Sequence, residues 1–248
     1  MRNIFKYGSI LLITVIISAC SDINQPAIEQ RLKINTITKW SVDTATDQKL
    51  RMIFHKVFDI DGNVVSQEDF SNSGSIASKS TFTYTDNKSI EERLVYSDSG
   101  NVKNKSKTEY EYDNNRRIIR QTNYDNNGAI TIEYEFDYDL KGNLIKKKQI
   151  GGEIGANSNL NIDYSYSNSG ELVERVTSSS TGNVYRDSIS YNRNQNIITI
   201  YKFNEKSALI NKTIYAYNNL GNVTSESFFD SEFKIREKFV YEYSYFSN

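Results

Sequence analysis

Tyr138-Asp139-Leu140-Lys141-Gly142-Asn143-Leu144 is the phrase on which the reading of this chain turns. An aromatic residue opens a version of it at Phe58, Tyr84, Tyr112, Tyr138, Tyr166, Tyr191 and Tyr217, and an eighth stands at Tyr243. The intervals of 26, 28, 26, 28, 25, 26 and 26 residues are the period of a repeat array. Within the phrase, Asp139 can open a type I turn, Gly142 can take the left-handed position of a G1 bulge, and Tyr138 then faces Leu144 across a hairpin.

Each repeat contains the phrase twice. Twelve residues after the anchor a second aromatic stands at Phe70, Tyr96, Tyr124, Phe203 and Phe229, with Ile150 and Ser178 as exceptions. Gly74, Gly100, Gly128 and Gly182 follow, and then Ile76, Val102, Ile130 and Val184. The spacing predicts about sixteen antiparallel strands over residues 32–245, clearest at 102–112, 130–138, 143–150, 209–217 and 235–245. The fold class is all-β, an antiparallel meander curled into a barrel or an open spiral shell. Strand number is legible here, but closure also depends on stagger, which is not.

Even spacing places anchors, aliphatics and second aromatics on one face of the sheet, with Ser66, Glu92, Arg120, Lys146 and Glu174 at mid-strand. The other face then carries Gln67, Arg93, Gln121, Lys147, Arg175, Ile200 and Glu226, a row at odds with a membrane-spanning barrel. Val184 and Tyr191 lie seven apart where most repeats have eight, which predicts a β-bulge within 184–191. Charges on the first strand, at Arg31, Lys33 and Lys39, would protect a free edge.

The N-terminus has a different character. Arg2 and Lys6 precede an apolar run from Ile10 to Ile17, the pattern of a secretion signal. Ile17-Ser18-Ala19-Cys20 resembles the lipobox of bacterial lipoproteins. That resemblance implies a signal peptide over 1–19, fatty acylation of Cys20 with chains such as palmitate, and localisation in the cell envelope. With Ser21 after the cysteine, it implies the outer membrane, on its periplasmic or surface-facing side. Residues 20–31, with Pro26, read as a tether, and 32–248 as a single β-repeat domain. Cys20 is the only cysteine, so no disulfide framework is available.

Tyr112-Asp113-Asn114-Asn115 and Tyr124-Asp125-Asn126-Asn127-Gly128 resemble the tyrosine-aspartate repeats of Rhs and teneurin-type proteins. In that family long β-hairpins spiral into a shell or barrel, often around a carried polypeptide. Ser167 and Asn218 replace the aspartate in two repeats of this chain. The resemblance implies the hairpin architecture and not toxin delivery.

The residues offer little catalytic chemistry. His55 is the sole histidine, and triad or thiol catalysis lacks its base. Phe58-Asp59-Ile60-Asp61-Gly62-Asn63 starts like a calcium loop, with Asp59, Asp61 and Asn63 as candidate ligands, but Phe70 stands where the closing glutamate belongs. An Asp-rich turn is the alternative. No cofactor is expected. Thirty basic against 31 acidic residues, with Lys146-Lys147-Lys148 the only basic triplet, argue against a nucleic-acid partner. The triplet alternates across a strand as solvated charge. Trp40 is a cap over the first repeat or a binding residue. The expected function is a non-enzymatic envelope lipoprotein, a structural or protein-interaction module. The alternatives are glycan or cell-wall binding through aromatics, and a glycosidase-like enzyme using two carboxylates.

Overall fold

The computed structural model describes residues 33–152, 160–180, 182–193 and 196–247. Cys20, Arg31 and the leader lie outside the described residues. Sixteen antiparallel strands follow one another around a closed barrel, each bonded to its neighbours in sequence, and the last pairs with the first. In chain order they are β1 (Ile34–Val42), β2 (Lys49–Phe58), β3 (Val64–Phe70), β4 (Ile76–Tyr84), β5 (Lys88–Tyr96), β6 (Val102–Tyr112), β7 (Ile118–Tyr124) and β8 (Ile130–Tyr138). They continue as β9 (Leu144–Gly151), β10 (Asn161–Tyr166), β11 (Leu172–Ser179), β12 (Gly182–Asn192), β13 (Ile197–Asn204), β14 (Leu209–Tyr217), β15 (Val223–Asp230) and β16 (Ile235–Tyr245). The barrel alternative is therefore the one realised, and no edge is left to protect: Lys39 points inward.

The turns form as their residues dictate. Asp139 N–H donates to the Asn143 carbonyl at 2.9 Å and Gly142 N–H to the Asp139 carbonyl at 3.0 Å, with Gly142 at φ 87°. Asp139 Oδ1 also accepts the N–H groups of Lys141 and Asn143 at 2.9 and 2.8 Å. Where the repeat lacks glycine, Arg116, Ser207 and Phe233 occupy the same left-handed position at φ 60–61°, a strain the side-chain-capped turn tolerates.

Each such hairpin shifts register one residue from its turn, as between Asp137/Lys146 and Tyr138/Leu144. The extra residue reverses the parity of the returning strand. Anchors therefore share the interior with Gln67, Arg93, Gln121, Lys147, Arg175 and Glu226, because Lys56 opposes Gln67, Phe136 opposes Lys147, and Tyr215 opposes Glu226. This corrects the expected faces. Ser66, Glu92, Arg120, Lys146 and Glu174 point outward, and so do the second aromatics: Tyr124 opposes Lys107, and Phe229 opposes Lys212. At 184–191 a register shift lies between Thr177/Tyr185 and Ser178/Asn183, whereas pairing from Tyr185 to Asn192 with β13 is regular.

The anchor hydroxyls have a specific task. The β3–β4 ladder stops at Ser66/Thr81, two residues short of the rim, and Tyr84 Oη donates to the Val64 carbonyl beyond it at 2.8 Å. Tyr138, Tyr166, Tyr191 and Tyr243 do the same to Ile118, Leu144, Leu172 and Val223 at 2.8–2.9 Å. Phe58 needs no hydroxyl, since the β1–β2 ladder already runs to Thr36/Val57. Tyr112 N–H reaches the Asn87 carbonyl, completing its own ladder, and its hydroxyl pairs with Ser89. Burial, the largest cause, raises the Tyr138, Tyr166 and Tyr191 phenols above their ordinary value.

Tyr138→Phe is therefore expected to cost about 1–2 kcal/mol, because the half-buried Ile118 carbonyl loses the phenol hydrogen bond. Tyr124→Phe, whose hydroxyl meets Glu109 on the exterior at 3.3 Å, is expected to cost under about 0.5 kcal/mol. Denaturant midpoints of the two variants, measured side by side, check the difference; equal losses would refute the ladder role.

Candidate functional site

Sixteen strands enclose more space than side chains fill, and no large described side chain is completely enclosed. The inner wall is the chemically distinctive surface of the molecule. Phe54, Tyr110, Tyr134, Phe136, Tyr164, Tyr215, Phe228, Phe239 and Tyr241 point inward, as the pairing with buried Lys39, Ser89, Lys147 and Glu226 requires. Between these rings runs a polar belt at mid-strand.

The belt is strongest at the seam where the barrel closes. Lys39 Nζ on β1 lies 2.5 Å from Glu226 Oε2 on β15, with side-chain exposures of 4% and 7%. Tyr241 Oη donates to the same oxygen at 2.8 Å. The ammonium also sits 4.2 Å from the Phe239 ring centre and 5.3 Å from that of Tyr241. Phe54 meets Tyr241 edge-on at 6.3 Å, and Phe228 meets Phe239 at 5.9 Å. Burial first, and then the Glu226 charge, raise the phenols of Tyr215 and Tyr241.

Two further belt groups follow. Asp187, buried on β12, takes both Nε and Nη2 of Arg175, at 2.8 and 2.5 Å. Asp69 accepts from Ser78 at 2.7 Å and from Arg93 at 3.0 Å, and Ser80 donates to Glu91 at 2.6 Å. Belt carboxylates are thus engaged by bases or hydroxyls.

Lys147 differs, and it corrects the solvated reading of the lysine triplet. Lys146 and Lys148 point outward, but Lys147 is 6% exposed, its Nζ 3.9 Å from the Tyr134 ring centre, 5.1 Å from Phe136 and 3.4 Å from Gln121 Oε1. Among the described residues no carboxylate acts on it, and burial is the one cause of its shift. Burial pulls its pKa down to about 8. In the unfolded chain it stays protonated to near 10.5, so between about pH 8 and 10.5 unfolding binds a proton and stability rises with pH. Tyrosines oppose this above pH 10, because burial lifts Tyr84, Tyr164 and Tyr217 to about 12 and the unfolded phenols ionise first. The expected result is that the wild type gains on the order of 2 kcal/mol between pH 7.5 and 10 relative to Lys147→Met. Denaturant titrations at both pH values check it; parallel profiles would show the ammonium to be solvated.

The predicted calcium ligands do not converge on a metal position. Asp59 Oδ1 accepts from Asp61 N and Asn63 N at 3.0 and 2.8 Å, and Oδ2 accepts from Asn63 Nδ2 at 2.9 Å. Those bonds from Asn63 hold the Asp59 carboxyl below its ordinary range, as those from Asn143 do at Asp139. Among the described residues no group of three His, Cys, Asp or Glu side chains is placed to hold a metal. Trp40 is neither cap nor inner-wall residue: it lies outside the seam, donating to Glu242 at 2.7 Å under the Lys49 ammonium. His55 meets Thr38 on the same outer side.

The exterior of the barrel is a lattice of charge. Glu68–Lys79, Glu92–Lys105, Lys88–Glu111, Lys107–Glu109 and Arg186–Glu174 pair at 2.8–3.4 Å, and Arg120 lies between Glu133 and Glu135. Individually such pairs add little stability. Together they make a surface that a hydrocarbon layer does not accept, for a different row of residues than the sequence pattern suggested. The sequence pattern does not reveal the seam or Lys147's inward side; the signal for the latter is the bulge at every glycine turn, which reverses the parity of the returning strand.

No family model matches the chain, and no curated protein matches it. Among solved structures, a porin-like protein from Bacteroides uniformis ATCC 8492 superposes with a TM-score of 0.57 at 12% identity, over 85% of this chain and 98% of that one. A porin-like protein from Bacteroides vulgatus ATCC 8482 aligns over 86% and 99% at 12% identity, with a TM-score of 0.36. At such identity the first similarity is one of fold, and it shows the closed all-β barrel as an architecture shared with a solved protein.

Proposed function

We propose that this chain is a non-enzymatic lipoprotein of the bacterial cell envelope, held by an acylated Cys20, whose water-exposed barrel serves as a structural or protein-interaction module built from tyrosine-aspartate-like hairpins. The charged exterior carries this reading. A barrel that cannot be solvated by lipid must be joined to the membrane some other way, and a lipobox-like leader supplies the means. The porin-like fold of the Bacteroides uniformis protein is in keeping with an envelope setting, including the outer membrane.

Three turn aspartates and one exterior glutamate are unsuited to the acid role of a glycosidase. Asp59, Asp113 and Asp139 are held below the ordinary carboxylate range, each first by the side chain four residues on, and Glu109 likewise by Lys107. Glycoside hydrolysis needs one carboxyl raised instead. The test is cross-linking of the tagged full-length chain in its own envelope, with a parallel glycoside turnover assay. A defined envelope protein recovered without turnover is the expected result; turnover with no specific partner would remove the reading.

The inward aromatic wall favours one second reading, glycan binding within the barrel. Rings flanking a hydrogen-bonding belt suit sugar faces and hydroxyls. Binding on a glycan array that is lost in Tyr134→Ala and Tyr164→Ala would support it, and retention of binding in both would count against it.

A further inference from the structure

Turns that join even to odd strands share one rim of the barrel, and the strands begin and end there too. Lys33, at the start of β1, is bonded to Phe246 N at 3.0 Å, so the chain enters and leaves the barrel on this rim. Three of its turn tips are aliphatic: Ile60, Leu140 and Leu220, with exposures of 51%, 109% and 62%. They sit in the β2–β3, β8–β9 and β14–β15 turns, six, six and four strand positions apart around the ring of sixteen. That is close to a tripod. On the opposite rim the described tips are Asn72-Ser73, Asp98-Ser99, Asn126-Asn127, Glu205-Lys206 and Ser231-Glu232, with Thr44-Ala45-Thr46 in the first turn. Exposed apolar residues on that rim, among them Leu50, Ile76, Val102, Ile130 and Ile235, stand in the strand starts behind the turns, and Phe233 follows its tip, so none of them occupies a described tip.

We propose that the tripod rim rests on the surface of the bilayer, with Ile60, Leu140 and Leu220 inserted at the headgroup boundary, so that one mouth of the barrel faces the membrane and the other faces away. This rests on the reading of Cys20 as the lipid anchor. Residues 20–32 join the barrel at the same rim, and thirteen residues span no more than about 45 Å when extended. The tether therefore keeps this rim within reach of the bilayer at high effective concentration. Apolar side chains at three spread points then fix the plane of contact, since any one alone would leave the barrel free to tip. A turn tip is also the part of a hairpin that can enter the interface without exposing strand hydrogen bonds to lipid. Lys141, adjacent to Leu140, and Arg116 on the same rim are placed for headgroup phosphates.

The full-length protein, purified from membranes and reconstituted in phosphatidylcholine vesicles, provides the test. Cys20 is the only thiol and is blocked when acylated, so Ile60→Cys, Leu140→Cys and Leu220→Cys each introduce a unique labelling site, and Asn126→Cys serves as the control on the far rim. With a polarity-sensitive fluorophore, the three tripod labels are expected to shift to the blue and to lose at least half their emission when the lipid is acyl-chain-brominated phosphatidylcholine. The Asn126→Cys label is expected to lose less than a tenth. Acylated protein whose four labels are quenched alike, or not at all, overturns the orientation while leaving the tether intact. A wild-type Cys20 that reacts with the fluorophore overturns the tether reading and this proposal with it.

Discussion

Glu226→Ala is expected to lower the stability of the barrel by about 3–5 kcal/mol, because it leaves a buried ammonium without its counter-charge. Lys39 Nζ is bound to Glu226 at 2.5 Å, and both side chains are less than 8% exposed. Water has little access to the orphaned charge, and the Phe239 and Tyr241 rings near it supply only part of the lost attraction. Tyr241 Oη loses its acceptor at the same time. The effect is concentrated where it matters most to topology, since Lys39 on β1 and Glu226 on β15 lie on either side of β16, the strand whose pairing with β1 closes the ring. At about 2–4 °C per kcal/mol for a chain of this size, the melting temperature is expected to fall by roughly 10 °C. The double variant Lys39→Met with Glu226→Leu is expected to recover most of the loss, because a buried ion pair is often replaced by apolar groups at little cost. Thermal melts of the three variants check both parts. A fall of under about 2 °C for Glu226→Ala would mean that the seam is wet.

Cys20→Ser is expected to move essentially all of the chain from the detergent-rich to the aqueous phase on phase separation, with loss of the acyl mass. The argument is again one of compensation. Each buried methylene contributes about 0.8 kcal/mol to membrane attachment, so acyl chains dominate any affinity a charged barrel has of its own. Glu68, Glu92, Lys105, Lys107, Glu109 and Arg120 on the exterior supply no apolar band to replace them. The far-ultraviolet circular dichroism and melting temperature should not change, because the barrel beginning at Lys33 is a compact unit by itself. A Cys20→Ser chain still wholly in the detergent phase would sink the tether reading.

How much was legible from the residues varies from element to element. The strands Val102–Tyr112, Ile130–Tyr138, Leu209–Tyr217 and Ile235–Tyr245 end at the residues the sequence pattern marks, because aromatic, Asp or Asn, and Gly encode the turn locally. Asp139 and Gly142 need no distant partner to form their hydrogen bonds. Sidedness was lost at the same turns. One extra residue at Leu144–Lys146 inverts every position after it, so Lys147 exchanged the expected solvent face for the inner wall. The choice of tyrosine over phenylalanine also has a reason visible only in three dimensions: Tyr84 completes a ladder that stops short of Val64, whereas Phe58 borders a ladder that is already complete.

The sequence by itself determined the strand count, the antiparallel order and the turn geometry, since each depends on interactions within about a dozen residues of chain. The tertiary structure decided that the ribbon closes, which residues look inward, and that Lys39 finds Glu226 across 187 residues. Those outcomes depend on stagger summed around sixteen strands. No local window of sequence contains that sum, and an offset of a single residue at each bulge is enough to turn one face of the sheet into the other.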